Sequence, residues 1–355
     1  QIQLHVPHIS EAAPIADVDD FLVPQLSHPA LHTDTPFSKR FVLCIIIYTV
    51  YDPFRLYYEV YRLKDFSRTG ARLFRITAAV LLILFLLLWG AQTLFAHRNP
   101  VFTPDYPMED LTALLAQEQL STADYDTLFL QTGLGTPAID TLLAQGAQGR
   151  EQILAIQRQF FAAPATVCAE LFGLLVREDR LAPDENGQPV WGPPMPTLED
   201  GDVLLTYATH SMGWRHGHAG LVVDAAGQKV LEAVVIGSDA AVTNLGHWRS
   251  YSNYLVLRLR EKSPELQSEL TTWALEHLEG VPYRLFSGLL GPKAPDPGLP
   301  GFGVQCAHLI WYAFQQFSYD VDADGGRLVT VDDLARSPLF EVVQLYGLDP
   351  RQWIC

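Results

Sequence analysis

An uncharged stretch of 21 residues, from Ile76 to Ala96, constrains this chain more than any other feature. About 20 apolar residues in a helix cross the hydrocarbon core of a bilayer, and a helix satisfies its backbone hydrogen bonds internally. Gln92 is the most polar residue of the stretch. Because a helix of this length that is apolar on every side is rarely the core of a globular protein, the stretch predicts one transmembrane helix.

The charges beside this stretch predict its orientation. Eight Lys and Arg residues precede it, whereas only Arg98 follows it closely. The positive-inside rule therefore places the N-terminal side in the cytoplasm and residues 98–355 outside the cytoplasm. Because 75 residues precede the stretch and no cleavage site follows it, we expect a retained, single-pass anchor in the cell membrane and not a signal peptide.

Composition divides the rest of the chain. Pro, His, Asp and Ser without periodicity predict a poorly ordered segment over 1–38. The basic region 39–75 is expected at the membrane surface, where its short apolar run 41–50 lies in the interface or makes a second, irregular crossing. After the anchor we expect a helical stalk or subdomain over 98–182, a Pro-rich linker over 183–200 and a folded domain over 201–348.

Charge and cysteine content exclude some classes of function. The net charge is −16, and because residues 1–97 contain eight basic and eight acidic residues, the whole acidic excess belongs to 98–355. A nucleic-acid partner is excluded because it would require a basic stripe. The four cysteines lack the C-x-x-C spacing of metal sites, although Cys168 and Cys355 could pair outside the cytoplasm. We expect no cofactor.

The apolar pattern predicts an α+β fold with an antiparallel sheet. Residues 105–182 are expected to be helical, with one helix starting at Thr136-Pro137 and stopping at Gly146. Beyond residue 200 the pattern changes to strands, which are followed by helices, and this order is typical of the α+β class. The expected strands are 203–207, 218–224, 229–236 and 254–259, and the expected helices are 263–279 and 306–318.

Two residues of this domain have the chemistry of a nucleophile and its base. Cys306 begins an apolar helix, where the positive end of the helix dipole favours a thiolate. His218 begins a strand that is otherwise apolar. Each could be an ordinary core residue, since free cysteines are commonly buried. Together, a thiol and an imidazole are the two halves of a cysteine nucleophile and its base.

Glu232 is the candidate third member of this site. The segment 224–228 is typical of a hairpin with a three-residue loop and Gly227 in the left-handed position. In that register Glu232 lies opposite Gly220, on the same face as His218 and diagonally adjacent to it. A carboxylate there would orient the imidazole. A loop of two or four residues would put Glu232 on the opposite face.

Short motifs around these residues resemble a known family. Gly280-Val281-Pro282-Tyr283-Arg284 followed by Cys306-Ala307-His308-Leu309 resembles the G-x-P-Y and C-S-x-L motifs of NlpC-type cell-wall cysteine peptidases. Gly217-His218-Ala219-Gly220-Leu221-Val222 resembles their H-V-G-I-Y strand. In most of that family the cysteine precedes the histidine. The reversed order resembles the circularly permuted, YiiX-like branch, and the resemblance covers roughly residues 198–348.

The resemblance implies a permuted papain-like fold with Cys306 as nucleophile, His218 as base and Glu232 as the third member. It also implies that Tyr283 lies in the cleft and can help to bind the oxyanion, although 22 residues separate it from Cys306, more than in the ordinary family. From their neighbourhood to His218 in the sequence, Trp214 and His216 are expected to line the same cleft.

The activity implied by the resemblance is that of a bacterial thiol protease that hydrolyses an amide bond in peptidoglycan stem peptides. Relatives with the permuted order, such as the lecithin retinol acyltransferase group, imply a lipid or acyl-ester substrate instead. A binding module without catalysis, held on the membrane by 76–96, is the third alternative.

A zinc site is a competing interpretation of the same region. His210, His216 and His218 fall within nine residues, and with Cys306 or Glu232 they could supply the imidazole, thiolate and carboxylate ligands that zinc accepts.

A weak calcium candidate lies near the C-terminus. Asp320, Asp322 and Asp324 match the first half of a calcium loop, but the twelfth position is Val331 and not Glu. A solvated turn, with Thr330 or Asp332 capping the next helix, is the simpler interpretation.

Overall fold

The first element that the structure describes is a long apolar helix, α1 (Gly70–Gly90). The computed structural model describes residues 70–90, 101–172, 176–211, 214–289 and 291–353. The chain divides into two compact units, 1–78 and 79–355. Within the described ranges, α1 is the one helix long and apolar enough to cross a membrane, with a mean hydropathy of 2.4.

The helix α1 overlaps the predicted span and begins before it. It includes Arg72 and Arg75, and its large apolar side chains, such as Leu81 and Phe85, are exposed. Residues 91–96 of the predicted span lie outside the described residues, as do the segment 1–38 and nearly all of the basic region 39–75. Length and composition therefore fit a span, while the membrane location and the orientation stay predictions.

Four short helices follow in the second unit and bury one another's apolar faces. Ser121 and Asp124 form a capping box at the start of the second of them, and Pro137 lies in the first turn of the third, as its sequence predicts. Gly146, with a φ of 66°, separates the third from the fourth. The helices are α2 (Thr112–Leu115), α3 (Thr122–Thr132), α4 (Thr136–Leu143) and α5 (Ala147–Phe160).

The prediction that helix continues to residue 182 is wrong beyond Phe160. The chain forms an antiparallel hairpin of β1 (Thr166–Phe172) and β2 (Val176–Leu181), which β4 (Thr209–His210) extends to three strands. Four consecutive charged residues, 177–180, hide the two-residue period of the strand. Two of their side chains, Glu178 and Asp179, are buried on opposite faces because both faces of this small sheet are covered.

The Pro-rich segment 183–200 is fastened to the domain by hydrogen bonds. The hydroxyl of Tyr254 donates to the carbonyl of Pro193 over 2.8 Å, and the Gln344 amide donates to the carbonyl of Pro194 over 3.0 Å. The Arg249 guanidinium donates twice to the carbonyl of Gly192. Prolines supply no N–H donor, so these carbonyl groups hold the segment together with the N–H of Gly192, which donates to the carbonyl of Arg249 over 2.8 Å.

The second sheet has six antiparallel strands and forms the centre of the domain. The mixture of helices with antiparallel sheets is the α+β class that the sequence predicts. The strand order is β7-β6-β5-β3-β8-β9. The predicted strands are all present, the one from 229 ending at Glu232, while β7 and β9 were not predicted. The strands are β3 (Val203–Thr206), β5 (His218–Asp224), β6 (Lys229–Glu232), β7 (Ala241–Asn244), β8 (Tyr254–Leu259) and β9 (Phe340–Tyr346).

Two helices pack against the middle of this sheet. Helix α6 (Pro264–Leu278) and helix α7 (Cys306–Gln315) both contact β5 and also contact each other. Residues 306–314 of α7 are all buried, so this helix lies inside the domain on every side. The placement brings the first residue of α7 towards β5, the strand that begins with His218. A short helix, α8 (Val331–Ala335), follows and is capped by Thr330.

A buried ion pair connects the beginning of β3 to the end of β8. The Arg258 guanidinium donates from Nε and Nη2 to the two carboxylate oxygens of Asp202, each over 2.7 Å, and from Nη1 to Glu199 over 2.8 Å. Arg258 and Asp202 are almost completely buried. Two parallel hydrogen bonds of this kind fix geometry as well as charge, so the pair aligns the two central strands.

Candidate active site

The hairpin β5–β6 has the register that the sequence predicts, but it reaches that register in a different way. Gly220 pairs with Glu232 and Val222 pairs with Val230. The loop contains four residues, not three, and the left-handed position is occupied by Gln228, with a φ of 54°. A β-bulge between Val222 and Asp224 adds one residue to β5 and restores the register. Glu232 therefore faces the same side of the sheet as His218.

His218 and Glu232 form a direct hydrogen bond. The distance between His218 Nε2 and Glu232 Oε2 is 2.7 Å, and both side chains are buried. The imidazole stacks on Trp248, with ring centroids 5.4 Å apart and an angle of 16° between the planes. Gly220 makes this arrangement possible, since a Cβ at that position would lie 2.9 Å from Trp248 and 3.2 Å from the Glu232 side chain. Glu232 thus holds the edge of the His218 ring and Trp248 covers one of its faces.

The Glu232 carboxylate has two further partners that the sequence did not predict. His247 Nε2 lies 3.3 Å from Oε2, and the Thr243 hydroxyl donates to Oε1. Burial raises the pKa of Glu232, but the hydrogen bonds from His218 and His247 outweigh burial and lower it to about 2. Burial in turn lowers the pKa of His247, and its hydrogen bond to Glu232 reverses the direction, so that the pKa is raised. Glu232 is therefore an anion that holds two imidazoles.

Cys306 is the first residue of α7. The preceding Gln305 caps the helix, because its side-chain oxygen accepts from the backbone N–H of Ala307 over 2.9 Å. The Cys306 thiol donates to that same oxygen over 3.3 Å, and the amide nitrogen of Gln305 is tied to the carbonyl of Val329. The thiol thus lies at the positive end of the helix dipole. Its position is fixed by the hydrogen bond to Gln305, which is itself bonded to Val329.

The imidazole of His218 also interacts with Cys306. Burial lowers the pKa of His218, but hydrogen bonds to Cys306 and Glu232 outweigh burial and raise it to about 10. Because Glu232 occupies Nε2, the Nδ1 edge of the ring is the one that remains for the thiol. At neutral pH this environment favours an imidazolium between the Glu232 carboxylate and the Cys306 sulfur.

Cys306, His218 and Tyr283 line one cleft of about 290 Å³. Backbone hydrogen bonds connect the Tyr283 segment to the chain just before Cys306, since the N–H of Arg284 donates to the carbonyl of Val304 over 2.8 Å. Burial and the nearby Cys306 raise the pKa of Tyr283. Its hydroxyl therefore keeps its proton at neutral pH and can act as a hydrogen-bond donor in the cleft.

His216 lines the cleft, whereas Trp214 is not among the residues that line it. His216 Nδ1 lies 2.8 Å from the carbonyl of Gly217, and Nε2 lies 3.0 Å from the hydroxyl of Ser211. Burial lowers the pKa of His216, so its imidazole is neutral. Trp214 is 60% exposed and its ring packs edge-on against that of His216. Neither side chain replaces His218 as the base.

A wall of the cleft comes from the three-stranded sheet, which the sequence did not predict. Val176, Glu178 and Thr209 line the cleft on the side facing Cys306. Glu178 is buried and accepts a hydrogen bond from Arg180 Nε over 2.7 Å. Its carboxylate is therefore one of the polar groups that line the cleft. The sequence carried no sign of this role because Glu178 lies inside a run of charged residues.

The zinc alternative built on three histidines does not hold. Among the described residues, the groups of side chains whose donor atoms converge include His210 but neither His216 nor His218. His210 lies on the three-stranded sheet with Cys168 and Asp179. His216 and His218 line the cleft instead.

The calcium candidate is brought together only in part. The carboxylates of Asp322 and Asp324 converge with that of Asp333, while Asp320 is not a member of the group. Asp320 accepts from the indole N–H of Trp311 over 2.8 Å, and Asp322 forms an ion pair with Lys293. Asp333 completes the capping box with Thr330, as the simpler interpretation expects.

Comparisons with known proteins give one weak neighbour. No model of a known protein family matches the chain, and no curated protein matches it. Among solved structures, the crystal structure of the metalloprotein YiiX from Escherichia coli O157:H7 is similar, with 17% sequence identity and a TM-score of 0.32. The match covers 41% of this chain and 96% of that chain. The neighbour is weak. At this level of similarity it assigns neither a fold nor an activity.

Proposed function

We propose that this chain is a membrane-anchored cysteine hydrolase with a circularly permuted, papain-like domain. The observation that carries the proposal is the set of contacts around His218, whose ring is hydrogen-bonded to Glu232 on one edge and interacts with Cys306 on the other. A nucleophile, a base and a group that orients the base form a chain of this kind in covalent catalysis.

In the proposed mechanism the Cys306 thiolate attacks the carbonyl carbon of an amide or ester, which forms a carbon–sulfur bond and an oxyanion. Protonated His218 then gives its proton to the leaving nitrogen or oxygen as the carbon–heteroatom bond breaks. In the second half, neutral His218 takes a proton from water, and the resulting hydroxide attacks the acyl-enzyme and releases the Cys306 thiolate. Glu232 stays ionised throughout and holds the ring in one orientation.

The oxyanion needs donors close to the sulfur. The backbone N–H of Cys306 lies in the first turn of α7, where backbone N–H groups have no partner within the helix. The protonated hydroxyl of Tyr283 is a second donor in the same cleft. We assign these two groups to the stabilisation of the oxyanion, which is usually the largest single contribution to catalysis.

The substrate that fits the proposal best is an amide bond of peptidoglycan stem peptides. The basic residues before the apolar stretch and the single Arg98 after it support an anchor with residues 98–355 outside the cytoplasm, where they would face the cell wall. Glu178, which pairs with Arg180, lines the same cleft as Cys306, and a carboxylate can bind a cationic amine of a peptide.

A second candidate is an acyl-ester or lipid substrate, and exposed apolar side chains beside the cleft favour it. Two cleft residues, Val234 and Tyr283, are followed in the chain by Ile236 and Phe286, which are 57% and 56% exposed. Their segments are adjacent, because the N–H of Tyr283 donates to the carbonyl of Ser238 over 2.9 Å. Apolar groups beside a cleft are suited to an acyl chain.

The experiment compares both substrate classes on the full chain in detergent. Purified murein and acylated substrates are incubated separately with the wild type, with Cys306→Ala and with His277→Gln, an exposed histidine of α6 outside the site. Release of product from murein by the wild type and by His277→Gln, but not by Cys306→Ala, supports the peptidase. Release from the acylated substrate alone favours the second candidate. Equal release with and without Cys306 contradicts both.

A further inference from the structure

A second cluster of metal-ligating side chains lies on the three-stranded sheet, away from Cys306. Cys168 is on β1, Asp179 is its paired residue on β2, and His210 is on β4. The register places all three on one face, because His210 pairs with Arg177, two residues before Asp179. The opposite face carries Glu178 and Thr209, which line the cleft. The cluster is therefore separated from the candidate active site by the thickness of one sheet.

We propose that Cys168, Asp179 and His210 form a binding site for a divalent transition-metal ion, with zinc as the best match. The three side chains supply thiolate, carboxylate and imidazole, which are the ligand types that zinc accepts. Three protein ligands leave one position of a tetrahedron for a water molecule. The site does not depend on the proposed hydrolase activity.

The distances between the donor atoms carry the proposal. His210 Nε2 lies 3.8 Å from Cys168 Sγ and 3.6 Å from Asp179 Oδ1, and all three atoms lie within 4.8 Å of one another. A tetrahedral zinc with ordinary bond lengths separates a sulfur from a nitrogen by about 3.5 Å and a nitrogen from an oxygen by about 3.3 Å. A contraction of about 0.3 Å in each of these two distances therefore brings the His210 nitrogen to coordination spacing with the other two donor atoms.

Without a cation, the imidazole of His210 has no short hydrogen bond to the Asp179 carboxylate. Its Nε2 atom lies 3.8 Å from the Cys168 sulfur, an ordinary distance for a hydrogen bond to sulfur, but 3.6 Å from the Asp179 oxygen, which is longer than the usual 2.7–3.2 Å of an N–H···O hydrogen bond. The ring is almost completely buried, so water does not reach it freely. A metal ion between the three atoms would bond to the nitrogen lone pair and to both anionic partners at once.

Two arginines set the charge around the cluster. Arg215 Nη1 donates to Asp179 Oδ2 over 2.7 Å and leaves Oδ1 directed at His210, as an outer partner of a ligating carboxylate does. Arg177 hydrogen-bonds the Cys168 thiol, which lowers the pKa of that thiol, although burial and Asp179 raise it overall. The two positive charges reduce the affinity for a cation relative to a site with four thiolates. The exposed Cys168 gives the ion a route from solvent.

A metal ion here would connect the short strand β4, which pairs with β2 over two residues only, to β1 and β2. The strand β4 contains only two residues, and β1 and β2 are connected by a hairpin. Coordination would fix the three strands together and, through the opposite face, the position of Glu178 in the cleft wall. Arg215 precedes His216 directly, so the same site would also hold the segment that leads into the cleft.

The test uses cobalt as a spectroscopic probe of the full chain in detergent. The protein is stripped with a chelator, desalted under reducing conditions and titrated with Co²⁺, and the thiolate-to-cobalt charge-transfer band in the near ultraviolet is followed. The variants are Cys168→Ala, Asp179→Asn and Cys306→Ala. Circular dichroism verifies that each variant is folded, and mass spectrometry of the metal content after incubation with Zn²⁺ gives the stoichiometry.

We expect one equivalent of metal and a charge-transfer band in the wild type and in Cys306→Ala, with displacement of cobalt by zinc. The band is expected to disappear in Cys168→Ala. In Asp179→Asn the apparent affinity for cobalt should fall by at least about 10- to 100-fold. That is the loss typical when a residue that only hydrogen-bonds a metal ligand is removed. A wild type without the band, a band that survives in Cys168→Ala, or a band that is lost in Cys306→Ala overturns the proposal.

Discussion

The carboxylate of Glu232 and the imidazole of His218 are 2.7 Å apart, on neighbouring strands and on the same face of the central sheet. This contact engages Nε2 of the ring, and the ring also interacts with Cys306, the first residue of α7. The contact depends on the bulge in β5, which compensates for the four-residue loop. The proposed chemistry of Cys306 follows from this one relationship.

The pH dependence of activity should reveal the effect of the Glu232 carboxylate on the pKa of His218. The pKa of His218 is raised to about 10, so the imidazolium persists at neutral pH and is lost as the pH rises through about 10. Glu232→Gln removes a charge that raises this pKa, so the alkaline limb of the pH–rate profile should move to lower pH. The rate at neutral pH should fall on the order of 100-fold or more, because the ring loses its orientation. An unchanged alkaline limb in Glu232→Gln contradicts the assignment.

His247 is expected to act as a positioning residue through Glu232. Its Nε2 atom lies 3.3 Å from Oε2, and a hydrogen bond to a charged group contributes about 1.5–3 kcal/mol. At this distance the lower end applies, so His247→Gln should reduce kcat by about tenfold. The pKa of Glu232 should rise from about 2 towards its ordinary value, which moves the acid limb of the pH–rate profile to higher pH.

The matched control for this variant is His277→Gln. His277 is also a histidine at the end of an element, and its Nδ1 atom contacts the carbonyl of Trp273, outside the site. We expect His277→Gln to leave kcat and both limbs unchanged. A loss of activity in His247→Gln without any movement of the acid limb would indicate a purely structural role.

Gly220→Ala should disturb the site through packing. An added Cβ would lie 2.6 Å from Val230 and 2.9 Å from Trp248, which is closer than such atoms approach. Overpacking of this kind costs about 1–3 kcal/mol of the free energy of unfolding. Thermal unfolding should therefore begin at a lower temperature, and activity should fall as Trp248 and Glu232 shift. Gly291→Ala is the control, since a Cβ there meets nothing within 4 Å.

The buried ion pair of Arg258 and Asp202 should be essential for stability. Arg258→Met leaves the Asp202 carboxylate buried without its partner, which typically costs about 3–5 kcal/mol. Chemical denaturation followed by circular dichroism measures the loss. Arg336→Met is the comparison, because it removes an exposed i,i+4 pair with Asp332 and should cost less than about 1 kcal/mol. Equal effects of the two variants would contradict the structural role.

The hairpin β5–β6 and the helix α7 could be predicted from the sequence because their signals are local. Alternation along β5, the glycine opposite Glu232 and the apolar run after Cys306 each have a short-range physical cause. The detail of the loop could not be predicted, because a bulge changes the count of residues without any change in composition. The predicted register is correct although the predicted loop length is wrong, because the bulge in β5 offsets the additional loop residue.

The remaining parts of the site depend on contacts between distant segments. His247 lies in a short 3-10 helix with no apolar period, and only the pairing of β6 with β7 brings it to Glu232. Glu178 lies in a charged run that reads as a helix or a solvated segment. Its strand pairs with β1 in a hairpin and also with β4, some thirty residues later. Long-range pairing of this kind leaves no mark in a local pattern.

The most direct test of the central claim is the rate at which Cys306 is alkylated as a function of pH, with Cys168 as an internal comparison. Burial and Asp179 raise the pKa of Cys168, and at about pH 6 an ordinary thiol is mostly protonated and unreactive. The full chain is treated with iodoacetamide in the presence of a chelator, and peptide mapping by mass spectrometry measures both cysteines. We predict that Cys306 reacts at about pH 6 while Cys168 does not, and that His218→Ala abolishes this difference. Equal reactivity of Cys306 in the wild type and in His218→Ala would contradict the account.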